Sequence, residues 1–267
     1  MSFNLRYDNP SDGENAWAHR KPLVLGTIGA AAPDLLGVQE CLPSQARFLR
    51  AWLEGYGFLG VGREDGAPAE RTSSEMCAIF YRSDRFEKLD EGFFWLSETP
   101  AVAGSNSWDS ALPRMVSWVR LRDRRDPAVT FHFVNTHFDH LGVEARRQSA
   151  VMLRRQIRDL CRGGPAILVG DFNAPADPAV DEPFGLLINP DSLADPVLLD
   201  SYRALHPASD QEGTFNGFDG ATTGPRIDWI LTTTTFRTVR ADIIRSQQDG
   251  RYPSDHFPVT ATVQLTN

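Results

Sequence analysis

The sequence predicts an α/β domain in which sheets and helices stack in layers. Three observations carry that expectation. Short apolar, strand-like runs recur along the chain, roughly ten in all. Between them lie segments whose apolar residues repeat at helical spacing and which stop at glycine or before proline. The composition, 41% apolar, 10% aromatic and 23% charged over 267 residues, is that of an ordinary globular chain with enough material for one sizeable core.

Taken in order, "MSFNLRY" opens as a strand that carries Asn4. "ENAWAHRKPLVLGTIGAAAPD" reads as a helix ended by Pro33, because a residue before proline is pushed out of the helical region. "SQARFLRAWLEGYG" (44–57) reads as a second helix, with Phe48, Leu49, Trp52 and Leu53 on one face and Gly55 placed to end it. "GVEARRQSAVMLRRQIRDLCRGG" (142–164) is a longer one. Val151, Leu153, Ile157 and Leu160 form its core stripe among arginines, and a glycine pair closes it. Strands are expected at 35–39, 58–62, 76–81, 85–95, 115–121, 130–136, 166–169, 226–232, 237–244 and 257–265. The stretch 174–224 is rich in Pro, Asp and Gly and reads as long loops with short helices, a setting that is often functional. Neither repeats nor a linker divide the chain, so a single domain over 1–267 is expected.

Charge and cysteine usage exclude several classes. A formal net charge of -8 argues against gripping long nucleic acid, which takes a basic surface. The basic run "RLRDRRD" (120–126) reads as a solvated hairpin turn. Apolar runs are too short to span a bilayer. Cys41, Cys77 and Cys161 are widely spaced with no CxxC pattern, which argues against zinc and for buried free thiols in a reducing compartment. "MSFNLRY" begins as if in mid-strand and no signal peptide precedes it. The expected location is cytoplasmic as given, or periplasmic or secreted if the true start lies upstream of Met1.

The chemistry sits where apolar strands end. In "AILVGDFNAPAD" a buried strand delivers Asp171 and Asn173, two positions apart and so on one side of an extended chain. A carboxylate can take a proton from water, and an amide can hold that water or a phosphoryl oxygen. The same two residues also suit a turn in which each bonds its own backbone. The pattern recurs, however. "DLLGVQECLP" ends on Gln39 and Glu40, and "FHFVNTHFDH" on Asn135, His137 and Asp139. "PRIDWIL" places Asp228 in an apolar strand, where an acid is costly unless paired or bound to metal. "YPSDHFPV" puts Asp255 and His256 just ahead of the last strand. Carboxylates, amides and histidines without thiolates fit a hard divalent cation, Mg2+ or Mn2+. No Walker loop, GxSxG elbow or GxGxxG is present.

The ordered set "SFNLR", "GVQE", "NTHFDH", "GDFN", "RIDWI" and "SDHFP", spanning residues 2 to 258, resembles the endonuclease/exonuclease/phosphatase superfamily. The finer texture, "NPSDGENAW", "FWLSETP", "SWDSALPR" and "GTFNGF", resembles a subgroup of small bacterial members. The resemblance implies a four-layer α/β/β/α sandwich of two mainly antiparallel sheets, and metal-dependent phosphoester hydrolysis. It implies that Glu40 is the principal metal ligand, helped by Asn4 and by Asp255 through water. Asp171 would activate or orient the attacking water, with Asn173 holding it or the phosphate. His256 would contact the phosphoryl oxygen, with Asp228 fixing its tautomer, and His137 would be a second phosphate contact. Phosphoryl transfer needs an aligned water and compensated charge on the equatorial oxygens, so these roles are chemically coherent.

The abasic-site nucleases of that superfamily use a mid-chain Tyr as a phosphate contact, and no equivalent is found. Arg114, in "ALPRMVSWV", is the candidate substrate contact there, against the alternative of a surface ion pair. The loop carrying Arg6, Asp8, Asn9, Asp12 and Trp17 should border the site. Trp95, Trp108, Phe215 and Phe218 are candidate rim aromatics that stack on a base or sugar, unless they simply pack the core. The expected substrate is a small phosphorylated molecule or a short single-stranded nucleic acid. An endo- or exonuclease is the alternative within enzymes, and a non-catalytic carbohydrate- or partner-binding domain the alternative outside them. No obligate protein partner is evident.

Overall fold

The computed structural model describes residues 1–266. Two six-stranded sheets pack face to face. The first holds β1 (Ser2–Asn4), β2 (Leu35–Cys41), β3 (Tyr56–Leu59), β4 (Met76–Arg82), β11 (Phe236–Ile243) and β12 (Val259–Leu265), in the order β11-β12-β1-β2-β4-β3. The second holds β5 (Phe86–Trp95), β6 (Met115–Asp123), β7 (Thr130–His137), β8 (Ala166–Asp171), β9 (Leu198–Asp200) and β10 (Asp228–Thr233), in the order β5-β6-β7-β8-β10-β9. Each sheet has one central parallel pair, β1 with β2 and β7 with β8. The other strand pairs are antiparallel.

Strand alternation explains the layers. Ala78 and Phe80 of β4 pack into one core with Val24 and Ile28 of α1 (Trp17–Ala31) and Leu49 of α2 (Pro43–Trp52). Their neighbours Ile79 and Tyr81 face the other way and meet Phe133, Ile167, Val169 and Ile230 of the second sheet. On the far side, Val134, Leu168 and Leu231 pack against Leu153 and Ile157 of α3 (Val143–Cys161) and Leu187 of α4 (Pro183–Ile188). Helix, sheet, sheet and helix therefore stack as a four-layer sandwich. Strands buried on both faces read as unbroken apolar runs, which is why β4 and β8 were legible.

Two polar side chains tie the sheets together. Asn135 donates across to the Val38 and Ala78 carbonyls, both at 2.9 Å, and accepts from Gln39 Nε2 at 2.6 Å. The sheets close in at Gly37, where an added Cβ would lie 2.5 Å from a Val169 methyl and 2.9 Å from Asn135.

Several expectations shift. Trp52 is 63% exposed rather than core-facing. The buried positions of α2 are Gln45, Ala46 and Leu49, and Trp52 lies at the helix end against the Phe48 ring. In α3 the buried stripe runs through Ala145, Ser149, Ala150, Leu153, Arg154 and Ile157, which leaves Val151 off it. Arg154 is buried because its guanidinium bonds the Leu186 and Asn189 carbonyls. The third strand starts two residues before its expected position, at Tyr56, and ends at Leu59. The last begins at Val259, after Pro258, which has no N–H to give a ladder. The short β9 sits inside the stretch expected to be loops and short helices. The 120–126 run is a strand end followed by an exposed turn. Cys41 and Cys77 are buried free thiols and Cys161 is half-buried. Burial raises Cys77 and Cys161 to about 12, and Cys41 higher still. Among the described residues no helix is long and apolar enough to cross a membrane.

Candidate active site

Parallel strands bring their C-terminal ends to the same edge of a sheet. In register, Asn4 of β1 lies beside Gln39 of β2, and His137 of β7 beside Asp171 of β8. Antiparallel β10 starts at Asp228 opposite Asp171. The loop before β12 adds Asp255 and His256. These ends open onto one cleft of about 820 Å³, lined by Arg6, Tyr7, Glu40, Arg63, Glu75, Arg114, His137, His140, Asp171, Asn173, Phe215, Asp255 and His256, among others.

Local backbone aims the side chains. The β2–β4 register slips between Val38 and Cys41, and Glu40 takes a left-handed φ of 56°. That bulge turns its carboxylate into the cleft, an unusual conformation for a glutamate. Asn173 is also left-handed, at φ 48°, a conformation asparagine tolerates. Between the two polar residues of "DFN", Phe172 points the other way and stacks on Trp229 at 4.2 Å. The β8–β10 ends are thus anchored by apolar stacking directly behind Asp171 and Asp228.

Asp171 is the hub and is 1% exposed. Its Oδ1 accepts from the Asn173 backbone N–H at 3.0 Å, and its Oδ2 from Asn4 Nδ2 at 2.9 Å. The same Asn4 nitrogen donates to Glu40 Oε1 at 3.0 Å, and Asn4 Oδ1 accepts from the Arg6 N–H. Glu40 Oε2 accepts from the Tyr7 N–H at 3.0 Å. Burial, with the Asp228 charge nearby, pushes the Asp171 carboxyl up to about 7. Asp228 Oδ2 meets His256 Nδ1 at 2.9 Å, and His256 Nε2 lies 3.7 Å from Asp171 Oδ2. Burial opposes charge on His256, yet the Asp228 and Asp171 carboxylates hold its imidazolium well above the usual range.

His137 goes the other way. Burial, reinforced by the Arg114 and Arg63 guanidinia, drives its pKa well below the ordinary value, so the ring is neutral. Asn173 Nδ2 donates to the Phe138 carbonyl at 3.0 Å and lies 3.0 Å from His137 Nε2. The carbonyl fixes the amide's orientation, so His137 Nε2 accepts and its proton sits on Nδ1. Both amide hydrogens of Asn173 are then used, and its Oδ1 remains as an acceptor.

Arg114 is 4% exposed, not a surface ion pair. Its Nε donates to Asp139 Oδ1 at 3.3 Å and its Nη2 faces His140 Nδ1 at 2.9 Å. Burial would raise Asp139, but the Gly142 and Leu141 N–H groups and Arg114 outweigh it and hold the carboxyl at about 2. Behind the first wall, Arg20 is 2% exposed and gathers backbone carbonyls: Leu5 at 2.5 Å, Arg6 at 2.6 Å, Asn15 at 2.7 Å and Pro253 at 3.0 Å. It ties the loop after β1 to the segment carrying Asp255 and His256.

Among the described residues, two clusters of potential metal donors have ligand atoms within 4.8 Å of one another: Glu40, His137 and Asp171, and Asp171, Asp228 and His256. The carboxylate oxygens of Glu40 and Asp171 fit a hard divalent cation such as Mg2+ or Mn2+, whereas the cationic His256 and the His137 Nε2 that accepts from Asn173 have no free lone pair for it. Two acids sharing one amide NH2 would also gain from a cation between them. Of the residues expected to bind metal, Glu40 belongs to the first cluster and Asn4 bridges it. Asp255 also lines the cleft, with its carboxylate 3.8 Å from Arg6 Nε.

The sequence matches the Endonuclease/Exonuclease/phosphatase family over residues 1–256. The chain belongs to that family. Among solved structures it is similar to a family protein of Bacteroides vulgatus, at 36% identity and a TM-score of 0.89, covering 99% of this chain and 97% of that one. It is similar to a mannosyl-6-phosphatase of Bacteroides thetaiotaomicron at 35% identity and a TM-score of 0.86, covering 99% and 98%. An uncharacterized protein of Acanthamoeba polyphaga mimivirus is 28% identical over 170 residues, 59% of this chain and 59% of that protein. Family members are phosphoester hydrolases, and this chain has their fold.

The cleft gathers Asn4, Glu40, Arg114, His137, Asp171, Asn173, Asp255 and His256 around Asp171 or along its walls, with Asp228 directly behind. Arg6 and Phe215 also line it, as the loop and rim readings expected. Trp17 instead packs in the core against Phe48, and Trp95 is buried with its Nε1 on the Arg63 carbonyl. Trp108 and Phe218 are not among the lining residues. Sequence reading missed Arg63, Glu75, Tyr7 and His140. Arg63 follows the strand expected at 58–62 and His140 closes "FHFVNTHFDH", yet a charged or polar residue just past a strand is also the ordinary solvated end, and Glu75 stands before a strand rather than after one.

Proposed function

We propose that this protein is a divalent-cation-dependent phosphoester hydrolase acting on a small phosphorylated substrate. The observation that carries the reading is Asp171, a buried carboxyl pushed toward neutrality that lies between the Glu40 side of the cleft and the Asp228–His256 pair. A base with that affinity is matched to taking a proton from water at neutral pH. Glu40, with Asn4 and Asp255, is assigned to Mg2+ or Mn2+. When bound, such an ion polarises the phosphoryl oxygens and offsets their developing charge.

The chain's own groups divide the remaining work. Asn173 Oδ1 holds the attacking water, whose oxygen bonds to phosphorus while Asp171 accepts the proton. His256, kept cationic by Asp228, donates to a phosphoryl oxygen. His137 and Arg114 border the phosphate on the opposite wall. The ester P–O bond breaks, the released alkoxide takes a proton from solvent water and leaves as an alcohol, and Asp171 returns its proton to solvent. The acidic chain, at a formal net charge of -8, supports a small or single-stranded substrate over duplex nucleic acid. Likeness to a mannosyl-6-phosphatase over nearly the whole chain supports the same reading.

Chromogenic phosphoester hydrolysis with and without added Mg2+ or Mn2+ tests this, with Asp171→Ala as control. Metal-dependent turnover lost in the variant is the expected result. Turnover that survives both a chelator and Asp171→Ala would overturn it.

A further inference from the structure

We propose that Arg114, with Arg63 beside it, receives an oxygen that only a phosphomonoester offers, so that the site is built for monoesters rather than diesters. This rests on the hydrolase reading above and goes further by naming the ester class and the residues that choose it. Two of the three side-chain nitrogens of Arg114 are engaged, by Asp139 and by His140. Its Nη1 is buried and has no partner among the described residues. Arg63 repeats the arrangement: Nη1 donates to Glu75 Oε2 at 2.8 Å, and Nε is buried without a partner. Buried polar groups are nearly always satisfied; Arg63 and Arg114 both line the cleft and each keeps one buried guanidinium nitrogen without a partner, which an acceptor arriving with a ligand would satisfy.

The shape supports the same acceptor. Arg63 and Arg114 line both the main cleft and a narrow pocket beside Glu40 and His137, which is closed by Met76, Cys77 and Met115. All three closing residues are buried. The pocket's volume is about 10 Å³, room for a single water-sized atom. A diester has two non-bridging oxygens, for which the Glu40 side and His256 already account. A monoester has a third, and it carries more charge. The blind pocket has space for that oxygen and none for the second ester substituent of a diester. In the reaction the water oxygen bonds to phosphorus, the ester P–O bond breaks, and the alcohol leaves with a proton. Inorganic phosphate remains, with the third oxygen still on Arg114.

The test compares p-nitrophenyl phosphate with bis(p-nitrophenyl) phosphate in Mg2+ for the wild-type chain, Arg114→Met, Arg114→Lys and Arg63→Gln. Inorganic phosphate binding is measured by calorimetry in the same buffer, and thermal melts report folding. The wild-type chain should favour the monoester. Arg114→Met should lower the monoester-to-diester ratio of kcat/KM by about 100-fold, the scale of losing one preorganised donor. Arg114→Lys should recover part of that ratio, and phosphate binding should weaken in step. Arg63→Gln should shift the ratio in the same direction, and it carries the test if the Arg114 variants do not fold. A wild-type preference for diesters, or equal losses on both esters, overturns the proposal and leaves the hydrolase reading standing. Hydrolysis of neither ester counts against the hydrolase reading, and phosphate titration then decides the subsite: binding that depends on Arg114 supports it, and no binding overturns it.

Discussion

Replacing Asp228 with Asn isolates the charge on His256. The asparagine Oδ1 can still accept from His256 Nδ1, now 2.9 Å from the carboxylate, so the ring keeps its orientation and loses its counter-ion. Burial opposes the imidazolium, and Asp228 is the largest influence holding it up. Without that carboxylate the pKa should fall to the ordinary value of about 6.5 or lower. At about pH 7.5 an imidazole of pKa 6.5 is protonated in only about one molecule in eleven, so kcat/KM should fall at least about tenfold. The Asp171 carboxyl feels the change too. Part of its upward shift comes from the Asp228 charge, so its affinity for protons should drop as well. Both limbs of the pH–rate profile should then move toward acid, with much of the lost activity regained near about pH 5.5.

The stability consequence has a defined sign. A histidine whose folded pKa is raised stabilises the native state fully below its unfolded value, about 6.5, and loses that contribution as pH rises through the folded pKa. The melting gap between wild type and Asp228→Asn should therefore be widest below about pH 6.5 and narrow in alkali. A pH–rate series on a chromogenic ester and melts over the same range read both effects. Coincident alkaline limbs, or a loss under about threefold at pH 7.5, would refute a cationic His256 held by Asp228.

Three further outcomes follow from the site and its supports. Glu40→Ala should cost at least about 100-fold in activity at fixed Mg2+, at or beyond the upper end of losses from weakened metal binding, with a melt close to wild type because Glu40 is only partly buried; a Mg2+ titration checks it, and an unchanged activation curve would remove Glu40 from the ligand set. Phe172→Ala, at a fully buried position stacked on Trp229, should cost about 3–5 kcal/mol of stability. At roughly 2–4 °C per kcal/mol for a chain of this size, the melt should fall by several degrees or more, and a shift under about 2 °C would contradict the stacking account. Cys41 and Cys77 should resist a thiol reagent in the native state and react on unfolding, because burial holds both thiols protonated; rapid native labelling of either would count against that burial.

Much of this was legible because strands such as β4 and β8 are buried on both faces and read as apolar runs. The catalytic candidates interrupt those runs with polar groups, which is the kind of local inconsistency that marks a site. The same signal also flagged Gln39, Asn135 and Asp139, whose side chains tie the sheets together or hold Arg114 and the start of α3. A polar residue at a strand end looks alike in one sequence whether it faces the cleft or the opposite sheet, since one register step decides between them. Trp52 was misread because helical periodicity alone does not say where the packed layer ends. Arg63, just past the strand expected at 58–62, and Glu75, just before β4, escaped notice because a charged residue beside a strand is also the ordinary solvated end, and only tertiary packing brings these two into the cleft. The burial of Arg114 depends on Asp139 and His140, 25 and 26 residues further along the chain.

The spacing between the two halves of the site is set by the core rather than by loops. Each sheet places one parallel pair at its centre, and parallel strands end together. One pair delivers Asn4 and leads to Glu40, and the other delivers His137 and Asp171. What remains is to hold the two pairs at a fixed separation, and Asn135 does so, bonding Val38 just before the Glu40 bulge from a position two residues before His137. Gly37 allows the close approach, since any side chain there would meet Val169 and Asn135. The Asn4 amide then spans the gap from Glu40 to Asp171 at 3.0 and 2.9 Å. Loops supply the outer wall, from Arg63 to Phe215, and are free to vary with the substrate. Asp171 and Asp228 stand on paired strands and Glu40 in a bulge of β2, where a shift would have to break a ladder or open a packed interface.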